Sequence, residues 1–403
     1  KYGVDLGYEM DMSLWGLELY SKLNDDKNVH EIVKRSLEKN LSFVYPNGAI
    51  DGSWGSRCYK WTTFGSKTAD GSQILFSLFA DEDERYAAAS IRNLNYLRTM
   101  IKDGLIGNGP HFWDIMADKL CNYPTFARAK NLALSIFYTE NEDYNLPDLP
   151  SDISGWYKYY PTINTLIARS ENFMITVTGY NYKDLTFTNG GQYNQHPTGG
   201  TAANIWLKDF GFLQTSSQTK YVRGEVMHMP VMNDTVIALT PRIEFTNENG
   251  YFTNLYEFEN RIAIEEIENS LVKVKAVGEL KNEHWYQGGV GYSLEHILSD
   301  NYIQKNVEIN FHDRNPIVKI IDAIVQDKVT EIKIHSPKKA EIIKDNKRVY
   351  FEIIEGDVML SIADQADKFI FPFPAMKVFP LQIIVIKPES GFIQKIKYRL
   401  SID

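Results

Sequence analysis

A segment rich in glycine and serine, AIDGSWGSRCYKWTTFGSKTADG at residues 49–71, combines aromatic rings with cationic side chains. We call it the aromatic loop. Tyr59 lies between Arg57 and a lysine, and Trp54 and Trp61 lie on either side of it. Neighbouring cations lower the pKa of a tyrosine from its usual value of about 10, so such a side chain can serve as a general acid or, once ionised, as a base. The tryptophans offer flat faces for sugar rings. The alternative is that all these rings only fill space between packed elements.

A second glycine-rich stretch, GGQYNQHPTGG at residues 190–200, is the histidine loop. A neutral imidazole at His196 can act as a base or donate a hydrogen bond to a carboxylate. Gln192 and Asn194 are candidates for hydrogen bonds to a polar substrate. A lone loop histidine is more often only solvated, which is the alternative. His111, in NGPHFWD, is a further candidate, with capping of a helix start as its alternative.

Composition and charge narrow the function classes. A chain of 403 residues is too long for one compact core and indicates two or more domains. The net charge of −9 argues against a nucleic-acid partner, although a local basic cleft would still accept an acidic substrate. Cys58 and Cys121 do not make a disulfide framework, and both the paired and the free state stay open. No apolar run reaches the roughly 18 residues that a membrane span needs.

The spacing of apolar residues, which predicts the elements that position these loops, changes along the chain. Helical spacing of apolar residues predicts helices between residue 10 and about 145, in the segments MSLWGLELYSKLND, VHEIVKRSLEKNLSFVY, SQILFSLFADEDERYAAASIRNLNYLRTMIKDG and PTFARAKNLALSIFY. Gly104 is a predicted helix stop and Pro124 a predicted helix start. An acidic, proline-rich linker, ENEDYNLPDLPSDISG, follows.

Beyond the linker, apolar and polar residues alternate with a period of two. The segments NFMITVTGYNY, SLVKVKAVGEL, NVEINFHD, VTEIKIHS and FIQKIKYRLSI predict half-buried strands of a large antiparallel sandwich. We therefore expect a helical domain over residues 1–148 and an antiparallel β-sandwich domain over residues 149–403.

This combination resembles the polysaccharide lyases of the heparinase II/III type and the related chondroitin and hyaluronate lyases. Three segments carry the resemblance as motifs: DGSWGSRCYKWTTFG, GPHFWDIMADKLCNYPTFARAKNLA and NGGQYNQHPTGGTAANIWLKDFGFLQTSS. It implies an incomplete (α/α) toroid followed by a β-sandwich. The helical half is short for such a toroid, as if its first helices were absent. Asn122 and Tyr123 stand where relatives tend to carry a histidine pair, and Arg128 stands where they carry another histidine.

The resemblance implies cleavage of a uronate-containing acidic polysaccharide by β-elimination. A base must remove the proton on C5, an acid must protonate the departing oxygen, and donors must take up charge on the uronate carboxylate. Tyr59 and His196 are then the acid–base candidates. In the family, the group that neutralises the carboxylate usually lies in the first toroid helices. If those helices are not missing here, it is expected among Arg57, His111 and Asn122. A structural salt bridge is the alternative for Arg57.

Two other function classes stay open at this stage. A glycoside hydrolase would need two carboxylates across a cleft, for which Asp51, Asp70 and Asp114 are the loop candidates. A non-catalytic glycan-binding protein would have kept the fold and lost the chemistry.

Cofactor and location complete the expectations. No metal-binding motif is present, so we expect no cofactor, and a structural divalent metal has no ligand cluster to support it. The chain opens without a signal peptide, and we expect a periplasmic or secreted protein whose export signal is not part of this chain.

Overall fold

The computed structural model of the chain describes residues 9–55, 71–109, 111–115, 122–139, 143–179, 197–217, 219, 221, 231, 237–267, 271–312, 314–363, 369–370 and 377–403. Six α-helices are described, all in the first part of the chain: α1 Leu14–Asn24, α2 Lys27–Asn40, α3 Gln73–Ser77, α4 Glu84–Arg98, α5 Phe112–Ile115 and α6 Asn122–Tyr138.

Helix α2 shows how the local sequence sets these elements. Asp26 caps its start, because its carboxylate accepts hydrogen bonds from the backbone N–H groups of Asn28 and Val29, both at 3.2 Å. Val33 and Leu37, one turn apart, are fully buried and form its apolar stripe.

The helix predicted over residues 72–104 is divided in two. Its break lies at Asp83, whose carboxylate accepts the Arg85 N–H at 2.9 Å and caps α4 as a new helix. Gly104 is not a helix stop, which corrects the sequence prediction. It lies in a hairpin turn between two short strands, β1 Ile101–Lys102 and β2 Leu105–Ile106, where Asp103 and Gly104 both have positive φ.

A five-stranded antiparallel sheet follows the helices, with its strands in chain order: β3 Tyr157–Tyr160, β4 Thr165–Arg169, β5 Phe173–Thr178, β6 Thr201–Leu207 and β7 Gly211–Gln214. The histidine loop belongs to the connection between β5 and β6.

The other described strands form one larger sheet, in which every described pairing except β8–β20 is antiparallel. They are β8 Ile237–Ala238, β9 Arg242–Asn247, β10 Gly250–Thr253, β11 Ala263–Ile267, β12 Leu271–Lys281, β13 Gln287–Leu298, β14 Tyr302–Asn310, β15 Val318–Gln326, β16 Thr330–Ser336, β17 Lys339–Lys344, β18 Lys347–Glu355, β19 Met359–Ile362, β20 Phe369–Ile370, β21 Lys377–Val385 and β22 Ile393–Ser401.

The small sheet is covered on both faces. Phe173 and Ile175 of β5 point into the core shared with the larger sheet, whereas Met174, between them, belongs to the core shared with the helices. All six residues of β5 are buried. The prediction of a half-buried strand is therefore wrong for β5, because the helical part covers the face that the alternation would leave in water.

The fold-class prediction is confirmed: helices come first, and a large antiparallel β-sandwich follows. Strands such as β14 and β22 alternate between buried and partly exposed positions, as their sequences predict.

Candidate active site

Six of the candidate residues on the aromatic and histidine loops lie outside the described residues: Arg57, Tyr59, Trp61, Gln192, Asn194 and His196. Their roles stay predictions. The structure describes the segments from which both loops emerge.

The first segment includes Asp51, which is fully buried between the helical part and the small sheet. One carboxylate oxygen, Oδ2, accepts a hydrogen bond from Thr176 Oγ1 on β5 at 2.6 Å. The other, Oδ1, accepts one from Asn204 Nδ2 on β6 at 3.0 Å, and two more from the backbone N–H and hydroxyl of Ser53 at 2.8 and 2.7 Å. A buried carboxylate requires such donors. Asp51 thus ties the start of the aromatic loop to the two strands that flank the histidine loop.

The hydrogen bonds continue beyond Asp51 through both of its strand partners, Thr176 and Asn204. Because Thr176 gives its hydroxyl proton to Asp51, it accepts the bond from Tyr45 Oη at 2.8 Å. On the other side, Thr215 Oγ1 donates to Asn204 Oδ1 at 2.9 Å. Burial raises the pKa of Tyr45 well above its usual value, so this phenol stays protonated. We call Tyr45, Asp51, Thr176, Asn204 and Thr215 the Asp51 network.

The far end of the aromatic loop is fixed separately. Gly71 packs against the Arg128 guanidinium so closely that a Cβ added at Gly71 would lie 2.5 Å from Arg128 Cζ. Arg128 is itself buried and donates to Asp11 Oδ1 at 2.8 Å. The position at which relatives tend to carry a histidine is therefore occupied here by a buried ion pair.

The histidine loop returns to the sheet at two glycines. The Tyr292 hydroxyl donates to the carbonyl of Gly199 at 2.9 Å, and His296 Nε2 lies 2.8 Å from the carbonyl of Gly200. Burial, together with the nearby charge of Lys305, lowers the pKa of His296 to about 4. The imidazole is then neutral near pH 7, and its Nε2–H donates to Gly200.

His111 directly precedes α5. Burial lowers its pKa, and Asp327 and Lys344 are among the charges that act on it. Lys344 Nζ donates to the carbonyl of Phe210 at 2.8 Å, in the β6–β7 turn. The histidine loop leaves the opposite end of this seven-residue strand, about 20 Å away at the usual rise per residue. The β6–β7 turn that Lys344 contacts is therefore distant from the strand ends that carry the histidine loop.

The other two described candidates differ in exposure. Trp54 is only 5% exposed, and its ring lies against Phe43, with 4.6 Å between ring centroids. This is the packing alternative stated above for the tryptophan. Asn122 is exposed at the first residue of α6.

Two of the three candidates for the pair of carboxylates that a hydrolase would need are described, and these two are not paired across a cleft. Asp51 is buried and committed to its donors, and Asp114 is ion-paired with Lys328 at 2.6 Å, in the same α5 region as His111. Asp70 lies outside the described residues.

From the sequence, Asp51 is a candidate only as a hydrolytic carboxylate, and the network around it is not predicted. A usable signal is present, since Thr176 and Asn204 are polar residues in the interior of strands whose other interior residues are apolar. A polar side chain at such a position needs a buried partner.

Two features are absent from the part of the chain that the structure describes. No three histidine, cysteine, aspartate or glutamate side chains of that part of the chain are grouped so that they could hold a metal ion. None of the helices described here is long and apolar enough to cross a membrane.

Comparison with known proteins gives a family match over nearly the whole chain. Residues 1–148 match the family model of the ulvan lyase N-terminal domain, and residues 157–399 match that of the ulvan lyase C-terminal domain. A curated relative, the "Broad-specificity ulvan lyase" of Formosa agariphila, is 33% identical over 285 residues, which are 70% of this chain and 44% of the relative. The match thus spans less than half of that relative's length.

Solved structures give more distant similarities. Heparan sulfate lyase HepC from Pedobacter heparinus aligns with 98% of this chain and 59% of its own, at 10% identity and a TM-score of 0.46. Chondroitin AC lyase from Streptomyces coelicolor aligns with 93% of this chain and 48% of its own, at 9% identity and a TM-score of 0.46.

Proposed function

This chain belongs to the ulvan lyase family, and we propose on that basis that it is a polysaccharide lyase that cleaves an acidic, uronate-containing polysaccharide by β-elimination. Ulvan is the first substrate to test, because the curated relative is named for it. The observation that carries the proposal is the Asp51 network. It supports a single site at which the aromatic loop and the histidine loop meet, since Asp51 is hydrogen-bonded to both strands that flank the histidine loop.

The proposed reaction divides the work between the two loops. His196 or ionised Tyr59 takes the C5 proton, and the electron pair left on C5 forms the C4–C5 double bond. The bond from C4 to the glycosidic oxygen breaks, and the departing oxygen takes a proton from the Tyr59 phenol. Charge that develops on the uronate carboxylate must be met by donors, and we propose Arg57 for this role because its guanidinium can bind a carboxylate through two N–H groups.

Asp51 acts through other groups in this scheme and is a positioning residue. The hydrogen bonds from Thr176 and Asn204 hold the base of the aromatic loop against β5 and β6, and those from Ser53 fix the carboxylate locally. Reacting groups must be held within a fraction of an ångström of a productive geometry, so a fixed base contributes to rate even though it never contacts substrate.

Three further features are proposed with this function. The helices follow an (α/α) toroid, as in the lyases that the sequence resembles. Exposed aromatic side chains bind the polysaccharide, and the protein acts in the periplasm or outside the cell.

The test is an assay of the whole chain against ulvan, heparan sulfate, chondroitin sulfate and an uncharged polysaccharide as control. β-Elimination produces a C4–C5 double bond that absorbs in the ultraviolet, and hydrolysis does not. We expect absorbance to rise with at least one acidic polysaccharide and not with the control. New reducing ends without a rise in absorbance would identify a hydrolase, and binding without cleavage would identify a non-catalytic glycan-binding protein. Either result contradicts the proposal.

A further inference from the structure

A cleft lies where the β12–β13 turn faces the Tyr256–Glu259 segment. Its volume is about 440 Å³, and its lining includes four aromatic side chains: Tyr256, Phe258, Trp285 and Tyr286. We call it the turn cleft. It involves none of the residues assigned above to the candidate active site.

Two of these rings are presented to solvent by a firmly hydrogen-bonded turn. Trp285 is 43% exposed and Tyr286 is 71% exposed. Asn282 Oδ1 accepts the backbone N–H groups of His284 and Tyr286, both at 3.0 Å, and the Trp285 N–H donates to the Asn282 carbonyl at 2.8 Å. Large aromatic side chains usually lose water contact on folding, so a turn that holds two of them outward indicates a binding surface.

The backbone of Trp285 supports the same interpretation. Its φ is +66°, in the left-handed region that bulky residues rarely adopt. Phe258, on the opposite side of the cleft, packs edge to face against the Trp285 indole, with 6.3 Å between ring centroids. Strain at such a position persists only where the surroundings enforce it, and it is concentrated at binding sites.

The polar groups of the turn cleft suit hydroxyls better than anions. The Lys281 ammonium is buried and ion-paired with Glu257 at 2.9 Å and Glu259 at 3.7 Å. Glu259 exposes most of its side chain, and Gln287 adds an amide to the lining. Carboxylate and amide oxygens accept hydrogen bonds from hydroxyls. A further carboxylate, Glu283, lies in the turn, so the local charge is negative and would repel a uronate or a sulfate.

The turn cleft is connected to the base of the histidine loop. Its Tyr256 ends a short helical turn, Asn254–Tyr256, and Asn254 Nδ2 donates to the carbonyl of Gly199 at 3.3 Å and to Thr201 Oγ1 at 3.1 Å. Gly199 lies three residues after His196. A polysaccharide bound at the candidate active site could therefore extend toward this cleft.

We infer that the turn cleft binds an uncharged sugar unit of the substrate chain, stacked on the exposed rings of Trp285 and Tyr286, as a subsite beyond the point of cleavage. The inference rests on the proposed function for the claim that the bound sugar belongs to the polysaccharide substrate. The preference for an uncharged sugar rests on the residues of the turn cleft alone.

The experiment compares Trp285→Ala and Tyr286→Ala with the wild type and with a control, Tyr20→Ala, which removes an exposed tyrosine from α1. Calorimetry with uncharged xylo- and cello-hexasaccharides and with oligogalacturonate measures binding without any need for turnover. We expect an uncharged hexasaccharide to bind more tightly than oligogalacturonate, and each cleft variant to weaken that binding about 3- to 10-fold. Tyr20→Ala should leave it unchanged. Because Tyr286 is largely exposed, its variant serves even if Trp285→Ala fails to fold.

Kinetics on a cleaved polysaccharide provide the second readout. If the subsite binds substrate and transition state equally, its loss in the cleft variants should raise KM and leave kcat unchanged. Unchanged calorimetric binding in both variants, or tighter binding of oligogalacturonate, overturns the inference while the ultraviolet assay still reports lyase activity. Conversely, loss of hexasaccharide binding in a chain that produces no double bond would contradict the proposed function and leave the sugar-binding cleft established.

Discussion

The carboxylate of Asp51 and the hydroxyl of Thr176 lie 2.6 Å apart, although 125 positions separate the two residues in the sequence. The contact joins the helical part of the chain to β5, and Asn204 on β6 completes it from the neighbouring strand. A single buried carboxylate thus links the bases of the two loops to which the sequence assigns chemistry.

We predict that Asp51→Ala destabilises the protein by about 3 kcal/mol or more, because the donors on Thr176, Asn204 and Ser53 lose their buried acceptor. Ser53→Ala is the matched control and should cost about 1 kcal/mol, since the backbone N–H of residue 53 still donates. Urea denaturation measures both. A free energy of unfolding for Asp51→Ala within 1 kcal/mol of the wild type would show that the network does not stabilise the contact.

We predict that Tyr59→Phe lowers turnover by about 10²- to 10⁴-fold, the range typical of general acid–base catalysis, and leaves the fold unchanged. The ultraviolet assay measures the rate, and circular dichroism checks the fold. Tyr20→Phe, at an exposed tyrosine of α1, should keep wild-type activity. If Tyr59→Phe is nearly as active as the wild type, Tyr59 has only a structural role.

His196 is predicted to work with Tyr59 across the contact between the two parts of the chain, because each lies on a glycine-rich loop and ligand sites favour domain interfaces. Residues that act as a unit in catalysis have non-additive effects. The double variant Tyr59→Phe/His196→Gln should therefore be about as slow as the slower single variant. Independent effects would multiply instead, and kcat for the four proteins decides between the two outcomes.

His296 makes folding dependent on pH. Its pKa falls from 6.5 to about 4 on folding, mainly through burial. Between these values the unfolded chain binds a proton that the folded protein excludes, so the free energy of unfolding decreases as the pH falls through this window. The loss reaches about 3 kcal/mol near pH 4, and His296 contributes none of it above pH 6.5.

Urea denaturation from pH 7 to pH 4 measures this dependence. His296→Gln should flatten the profile relative to the wild type, whereas His284→Gln, at an exposed histidine, should not. Parallel profiles for His296→Gln and the wild type would mean that other groups cause the acid sensitivity.

Much of the fold could be predicted from periodicity. Helix α2 buries one stripe of side chains and strand β14 buries one face, and the opposite side of each is exposed to solvent. The resemblance to polysaccharide lyases is likewise confirmed by the family match. Prediction failed where tertiary contacts override the local pattern. Nothing in the alternation of β5 says that helices cover its polar face, and only a cap at Asp83 divides the helix predicted over residues 72–104.

The candidate site, too, was predicted only in part from the sequence. Residue type and loop position were enough to single out Tyr59 and His196 as candidates, since exposed glycine-rich loops commonly carry function. The partnership of Asp51 with Thr176 and Asn204 depends on chain contacts over more than a hundred positions, which spacing does not encode.

The Asp51 network also restricts how members of this family can recombine. An apolar contact tolerates a new partner of similar volume, whereas a buried carboxylate needs its donors at fixed positions. A chimera could join the helical part of one relative to the sandwich of another. Unless both parents carry the residues equivalent to Asp51, Thr176 and Asn204, this chimera would bury a carboxylate without its hydrogen-bond donors. We therefore expect the residues equivalent to Asp51, Thr176 and Asn204 to be inherited together, and the two parts to have diverged as one unit.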